Sequence, residues 1–149
     1  MKGGKEAAGL WIRLVKCYGL LLREVSRPQR GLTLPQFDCL AQLLRPPEGL
    51  TAGALSRTLL VTAGNLTGIV GRLQGRGLIV RRPHPLDRRA ALLFLTPHGH
   101  RLTLGEVARH ERHLERLFTG LPPAERLRLR TALDHLRETL EPRQLRRSA

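Results

Sequence analysis

At 149 residues the chain is long enough for one ordinary domain and short for two. Hydrophobic residues at 41% and charged residues at 26% exclude a disordered chain, and aromatics at only 3% leave Leu, Val and Ala to fill the core. Lys and Arg number 26 against 12 acids, a net charge of +14, which attracts polyanions through its summed field. Nearly all the cations are Arg, whose fork suits bidentate contacts to phosphate and to guanine edges, although an Arg-rich solvated surface gives the same count. No run reaches the roughly 18 apolar residues of a membrane span. The opening M-K-G-G-K-E has no apolar stretch behind it, and two cysteines make no disulfide framework, so a cytoplasmic, reduced protein is expected.

From Leu10 the apolar positions Leu10, Leu14, Cys17, Leu21 and Val25, with Trp11, Val15, Tyr18 and Leu22, step by three and four and describe a wide helical stripe. Pro28 and Gly31 end it. Thr33-Leu34-Pro35-Gln36 reads as a capping box, with Thr33 as N-cap and Gln36 reaching back. It opens a second helix to about Arg45, stopped by Pro46 and Pro47. Thr51 can cap a short third helix through Ser56 and Arg57. Thr62 can cap a fourth through Asn65, Leu66, Ile69, Val70 and Leu73. Gly75 and Gly77 supply left-handed positions at its end. The intervening Leu59-Leu60-Val61 is short enough for a helix-turn-helix.

Leu78 to Arg82 then reads as a strand, Pro83 to Arg89 as a turn and Ala90 to Leu95 as a returning strand. Thr96-Pro97 is an N-cap followed by Pro at the first helical position. The helix it opens has apolar positions at Leu104, Val107, Leu114 and Phe118, and Leu121-Pro122-Pro123 breaks it. Leu129, Leu133, Leu136 and Leu140 in the last helix are spaced as a helix–helix seam. The fold class is therefore mainly α with a small β-hairpin wing. Both ends are amphipathic helices with more apolar surface than a monomer easily hides, which points to a dimer.

A helix-turn-helix places its second helix in the major groove, N-terminal residues toward the base edges. The expected outward set is Thr62, Ala63, Gly64, Asn65, Thr67 and Gly68, small and polar, with Leu66, Ile69, Val70 and Leu73 inward. Asn65 can pair with adenine, Thr67 can touch a base or a thymine methyl, and Arg72 and Arg57 suit phosphate. Gly64, Gly68 and Gly71 within one helix mean either close helix packing or a backbone that must approach DNA, and the second is preferred. A hairpin tip with Arg88 and Arg89 can reach the minor groove, or be a loop of solvated charges. Asp87, two residues from Arg89, is expected to brace that side chain by a charge-assisted hydrogen bond.

The stretches L-T-L-P-Q-F-D-C-L from Leu32, V-T-A-G-N-L-T-G-I-V-G-R-L from Val61 and D-R-R-A-A-L-L-F-L-T from Asp87 carry a resemblance to the MarR (multiple-antibiotic-resistance regulator) family of bacterial transcription factors. The third looks like the family's wing signature, an Asp-x-Arg followed by Leu-Thr. The resemblance implies a single domain over 1–149, with a winged helix-turn-helix over about 32–96 and dimerisation helices over about 6–27 and 97–141. It also implies a homodimer on a pseudo-palindromic operator of double-stranded DNA, associated with the bacterial nucleoid. Most members repress and are released by a small aromatic or phenolic effector; Trp11, Tyr18 and Phe37 are the candidate pocket residues. Gly71 departs from the pattern, standing where many members carry an acid.

Two control devices remain open. In the family's organic-hydroperoxide branch the reactive Cys lies roughly two helical turns further from the L-T-x-P-Q stretch than Cys17. Cys17, on the apolar stripe between Leu14 and Leu21, and Cys39, flanked by Phe37, Leu40 and Leu43, are expected in the core, with Tyr18 beside Cys17 keeping a redox reading alive. Glu106, His110 and His113 could present metal ligands on one helix face, but Arg109 and Arg112 among them favour solvated surface. No nucleophile–base pair, phosphate loop or paired carboxylates appear, so no enzyme, cofactor or metal is expected. A sequence-specific DNA-binding repressor is preferred over a redox or ligand sensor acting through a protein partner.

Overall fold

The computed structural model describes residues 2–26, 31–59, 61–87 and 89–145, and the chain forms two compact units, Met1–His110 and Glu111–Ala149. In chain order the elements are α1 (Lys2–Val25), α2 (Leu34–Leu43), β1 (Leu50–Thr51), α3 (Ala52–Leu59), α4 (Ala63–Gly75), β2 (Ile79–Pro83), β3 (Ala91–Leu95), α5 (Pro97–Phe118) and α6 (Pro123–Leu145). Pro28 and Leu60, expected at an end of α1 and in the link before α4, lie outside the described residues.

The threonines start the helices as expected, because each offers a hydroxyl or carbonyl to amides that the first turn leaves without partners. Gln36 reaches back so that its Oε1 accepts the Thr33 N–H at 3.0 Å. The Thr51, Thr62 and Thr96 hydroxyls accept from Ala54 N–H at 3.1 Å, Asn65 N–H at 3.3 Å and Gly99 N–H at 2.9 Å. At the end of α4 only Gly77 takes the left-handed conformation, φ +66°. Gly75 is instead the last residue of the helix, since one left-handed residue is enough to terminate it.

The wing is larger than a hairpin. β3 lies between β1 and β2 in a three-stranded antiparallel sheet, with Leu50 opposite Leu93 on one side and Ile79 opposite Leu95 on the other. Two residues are too few to show an alternating pattern, so β1 has no sequence signature. Thr51 is both strand and cap.

The core of the first unit gathers Leu32, Cys39, Leu40, Leu43, Leu55, Leu66, Ile69, Val70, Leu73, Leu78, Ile79 and Leu93. Each of the larger side chains removes enough apolar surface from water to favour folding by about 1.5–3 kcal/mol. Leu104 is not among them: it is exposed, and the buried positions of α5 are Gly99, Thr103 and Glu106. The reason is proximity. A Cβ on Gly99 would stand 2.0 Å from the Leu78 carbonyl oxygen, so the start of α5 approaches too closely there for any side chain. Thr103 settles there by donating its hydroxyl to the Gly99 carbonyl at 2.6 Å.

The second unit holds the end of α5, a turn and α6. Leu129, Leu133, Leu136 and Leu140 of α6 keep the predicted spacing and are exposed in the single chain. In the first unit α1 does likewise, with Leu10, Trp11, Leu14, Val15 and Tyr18 all exposed. Cys17 is exposed as well, against the expectation of a core position. The α1 stripe is apolar, but within this chain only its end, at Leu21 and Val25, is half-buried. No helix among the described residues is long and apolar enough to cross a membrane.

Candidate nucleic-acid interface

α4 is positioned by its apolar side. Leu66, Ile69, Val70 and Leu73 are buried in the core, which fixes the rotation of the helix and turns Thr62, Ala63, Gly64, Asn65 and Thr67 outward. The link from α3 is tied at both ends: Ser56 Oγ donates to the Val61 carbonyl at 2.6 Å, and the Val61 N–H to the Ser56 carbonyl at 3.3 Å. Near the other end, Arg76 Nη1 donates to the Gly31 carbonyl at 2.7 Å. The helix is held along its length.

Of the predicted outward set, Gly68 alone is half-buried, and a Cβ there would meet the Arg72 guanidinium at 3.6 Å. Arg72 and Arg57 are exposed. The Thr67 hydroxyl donates to the Ala63 carbonyl at 3.0 Å, leaving its lone pairs and methyl outward. Gly64 and Gly71 have nothing within 4 Å of an added Cβ, so packing inside this chain does not require glycine at either.

The wing tip is a hydrogen-bonded turn. His84 N–H donates to the Ala90 carbonyl at 3.2 Å and Ala90 N–H to the Asp87 carbonyl at 3.0 Å. Asp87 does brace Arg89, but through the backbone: its Oδ1 accepts the Arg89 N–H at 2.9 Å. A carboxylate two residues before an amide closes an Asx turn on it more readily than it follows a long mobile side chain. Arg89 is exposed, Arg82 lies over the Phe94 ring at 5.0 Å, and Arg88 lies outside the described residues. Leu86, which belongs to no sequence motif, projects from the tip with 92% of its surface exposed.

Apart from this face, a small crevice is lined by Val25, Leu32, Thr33, Leu34, Phe37, Glu106 and His110, with room for a water-sized centre over about 20 Å³. Phe37 is the one candidate pocket residue found there; Trp11 and Tyr18 are on the exposed side of α1. The Phe37 and His110 rings stand 4.8 Å apart. Glu106, expected on solvated surface, is buried and paired with Arg109 at 3.2 Å. Among the described residues no three His, Cys, Asp or Glu side chains converge as a metal site. Burial pushes the Asp38 carboxyl up, opposed by the charge of His110. Burial, then the Asp38 charge, pushes the Cys39 thiol up to about 12, so Cys39 is a buried neutral side chain and no nucleophile.

Residues 30–90, from just before α2 to the wing, match the model of the MarR family. An HTH-type transcriptional regulator of Mycobacterium leprae is 34% identical over 116 residues, 76% of this chain and 79% of that protein. The chain belongs to the MarR family. The transcriptional activatory protein BadR of Rhodopseudomonas palustris is 36% identical over 94 residues, which are 60% of this chain and 54% of BadR. Among solved structures, a MarR-family regulator of Rhodococcus sp. RHA1 has a TM-score of 0.76 at 26% identity, covering 87% of this chain and 93% of that one. BpsR of Bordetella bronchiseptica, whose DNA binding is regulated by 6-hydroxynicotinic acid, has a TM-score of 0.66 at 26% identity, with 87% and 98% covered. This chain is thus a winged-helix, DNA-binding transcriptional regulator.

Proposed function

We propose that the protein is a homodimeric repressor that reads a pseudo-palindromic operator and leaves it when a small aromatic or phenolic effector binds. The observation that carries this reading is the division of α4 into a buried apolar side and an exposed side of Thr62, Ala63, Gly64, Asn65 and Thr67. Such a helix enters the major groove with its N-terminal turns against the bases. Asn65 pairs with adenine, Thr67 meets a base or a thymine methyl, and Gly68 lies at the rim of the contact. Arg57 and Arg72 hold phosphates, which fixes the register of the helix on the duplex. Arg89 enters the minor groove from a turn that Asp87 stiffens, with Arg88 on a phosphate.

The exposed leucines of α1 and α6 form the dimer interface, flanking a winged-helix part over about 32–96. The effector enters at Phe37, beside His110 and Glu106. A crevice with room for about one water must widen to admit an aromatic ring, and that widening supplies the signal. The regulation of BpsR DNA binding by 6-hydroxynicotinic acid supports control by a small aromatic acid.

The test uses a duplex that the wild-type protein selects from a randomised pool. Asn65→Ala and Arg89→Ala should each weaken binding by about 1–3 kcal/mol, the first relaxing base preference at one position. Affinity should fall steeply with salt as phosphates are neutralised. Unchanged affinity of both variants at physiological salt removes this role.

A further inference from the structure

Leu86 differs from every other exposed large apolar side chain in the described chain. It is 92% exposed, against 65% for Trp11, the next highest. The others lie on helices beside apolar neighbours; Leu86 is alone on a turn between His84 and Asp87. That turn holds it out. The Leu86 N–H donates to His84 Nδ1 at 3.2 Å, the Asp87 carboxylate accepts the Arg89 N–H at 2.9 Å, and the Asp87 carbonyl accepts the Ala90 N–H at 3.0 Å. Pro83 and Pro85 fix two further φ angles. A leucine fixed in water forgoes the favourable transfer of its side chain, and nothing in these bonds requires an apolar residue at this position.

The surroundings specify what would bury it. Arg81 and Arg82 on β2, and Arg89 beyond the turn, are exposed, so the apolar tip has cations before and after it. A fitting partner has an apolar cleft bordered by anions. The minor groove of duplex DNA is such a surface, about 6 Å wide, with sugar C–H groups along its walls and phosphates along its rims. We propose that Leu86 is an apolar wedge that enters the minor groove, packs against the sugar walls and partly unstacks one base step, bending the duplex. The inference rests on the reading that the wing meets DNA. Flexible pyrimidine–purine steps yield most easily to such a wedge, which gives the wing a sequence preference without base hydrogen bonds.

The test measures affinity and end-to-end energy transfer on a doubly labelled duplex selected from a randomised pool, using Leu86→Ser, Leu86→Met and Arg89→Ala. Leu86→Ser should bind about tenfold more weakly, leave the duplex straighter and keep the wild-type salt slope. Leu86→Met should preserve both affinity and bend. Arg89→Ala should lower the salt slope. The wedge is overturned, with the wing reading intact, if Arg89→Ala weakens binding while Leu86→Ser changes neither affinity nor bend. If neither variant alters binding, the wing reading fails and takes the wedge with it. Altered transcription by Leu86→Ser with DNA binding and bend unchanged assigns the tip to a protein partner instead, which also overturns it. An unchanged thermal melt of Leu86→Ser establishes that these readouts report contact rather than folding.

Discussion

Leu40, Leu55, Leu66 and Leu73, in α2 to α4, are at most 1% exposed, whereas Leu129, Leu133, Leu136 and Leu140 of α6 are 41% to 47% exposed. The residue type is the same and so is the helical spacing. The middle of the chain has partners for every inward side chain, from three helices and a sheet, and completes its own core. The end helices carry their stripes to the surface of the single chain. Burial in the middle supplies the free energy that fixes the outward residues of α4; exposure at the ends leaves the apolar surface that the proposed dimer would cover.

The largest effect separates these two groups of leucines. Leu73→Ala should lower the stability of the first unit by about 3 kcal/mol, because it leaves a cavity in a fully packed site. Leu133→Ala combined with Leu136→Ala should leave that melt in place and weaken self-association in sedimentation over a concentration series. A destabilised first unit with association unchanged would reverse the comparison.

A smaller effect sharpens it on the outward side of α4. Gly64→Ala fills open space on α4 and should stabilise the helix by about 1 kcal/mol while weakening duplex binding. Stability and binding moving together would mean that the glycine answers to folding alone.

The smallest effect concerns pH. Burial raises Asp38 above its ordinary value of 3.8, so the folded state holds that proton more tightly than the unfolded chain. The stability it contributes is complete below that ordinary value and lost as pH rises through the folded one. Relative to Asp38→Asn, the wild-type melting temperature should therefore fall across this window. A difference that stays constant with pH would exclude burial of the carboxyl as its cause.

Much of this architecture could be read from local chemistry. Thr33, Thr62 and Thr96 announce their helices because capping involves residues within one turn, and Leu66, Ile69, Val70 and Leu73 announce the inward side of α4 by period. What escaped depends on distant partners. β1 exists because Leu50 and Thr51 meet Leu93 and Leu92. Glu106 looks solvated among Arg109, Glu111 and Arg112, yet is buried, and the reason lies in how α5 passes the rest of its unit. Asp87 bonds the Arg89 backbone rather than its side chain, because spacing identifies a neighbour and not the group it binds. Leu86 and Asp38 belong to no motif; only the turn and the burial distinguish them.

The close approach of Gly99 to Leu78 has a mechanical consequence. The Thr96 hydroxyl donates to the Gly77 carbonyl at 2.7 Å, and the Thr96 N–H to the Leu78 carbonyl at 3.0 Å. With no space for even a methyl group at Gly99, the base of α5 is clamped to the residues that leave α4 and enter β2. His110 lies eleven residues beyond Gly99 on the same helix, about 16 Å along its axis. That stretch is fixed at one end by the Gly99–Leu78 contact and carries His110, against the Phe37 ring, at the other. If the proposed effector separates Phe37 from His110, it loads this stretch of α5 at its far end, and the clamp at Gly99 is where that load meets the end of α4 and the start of β2.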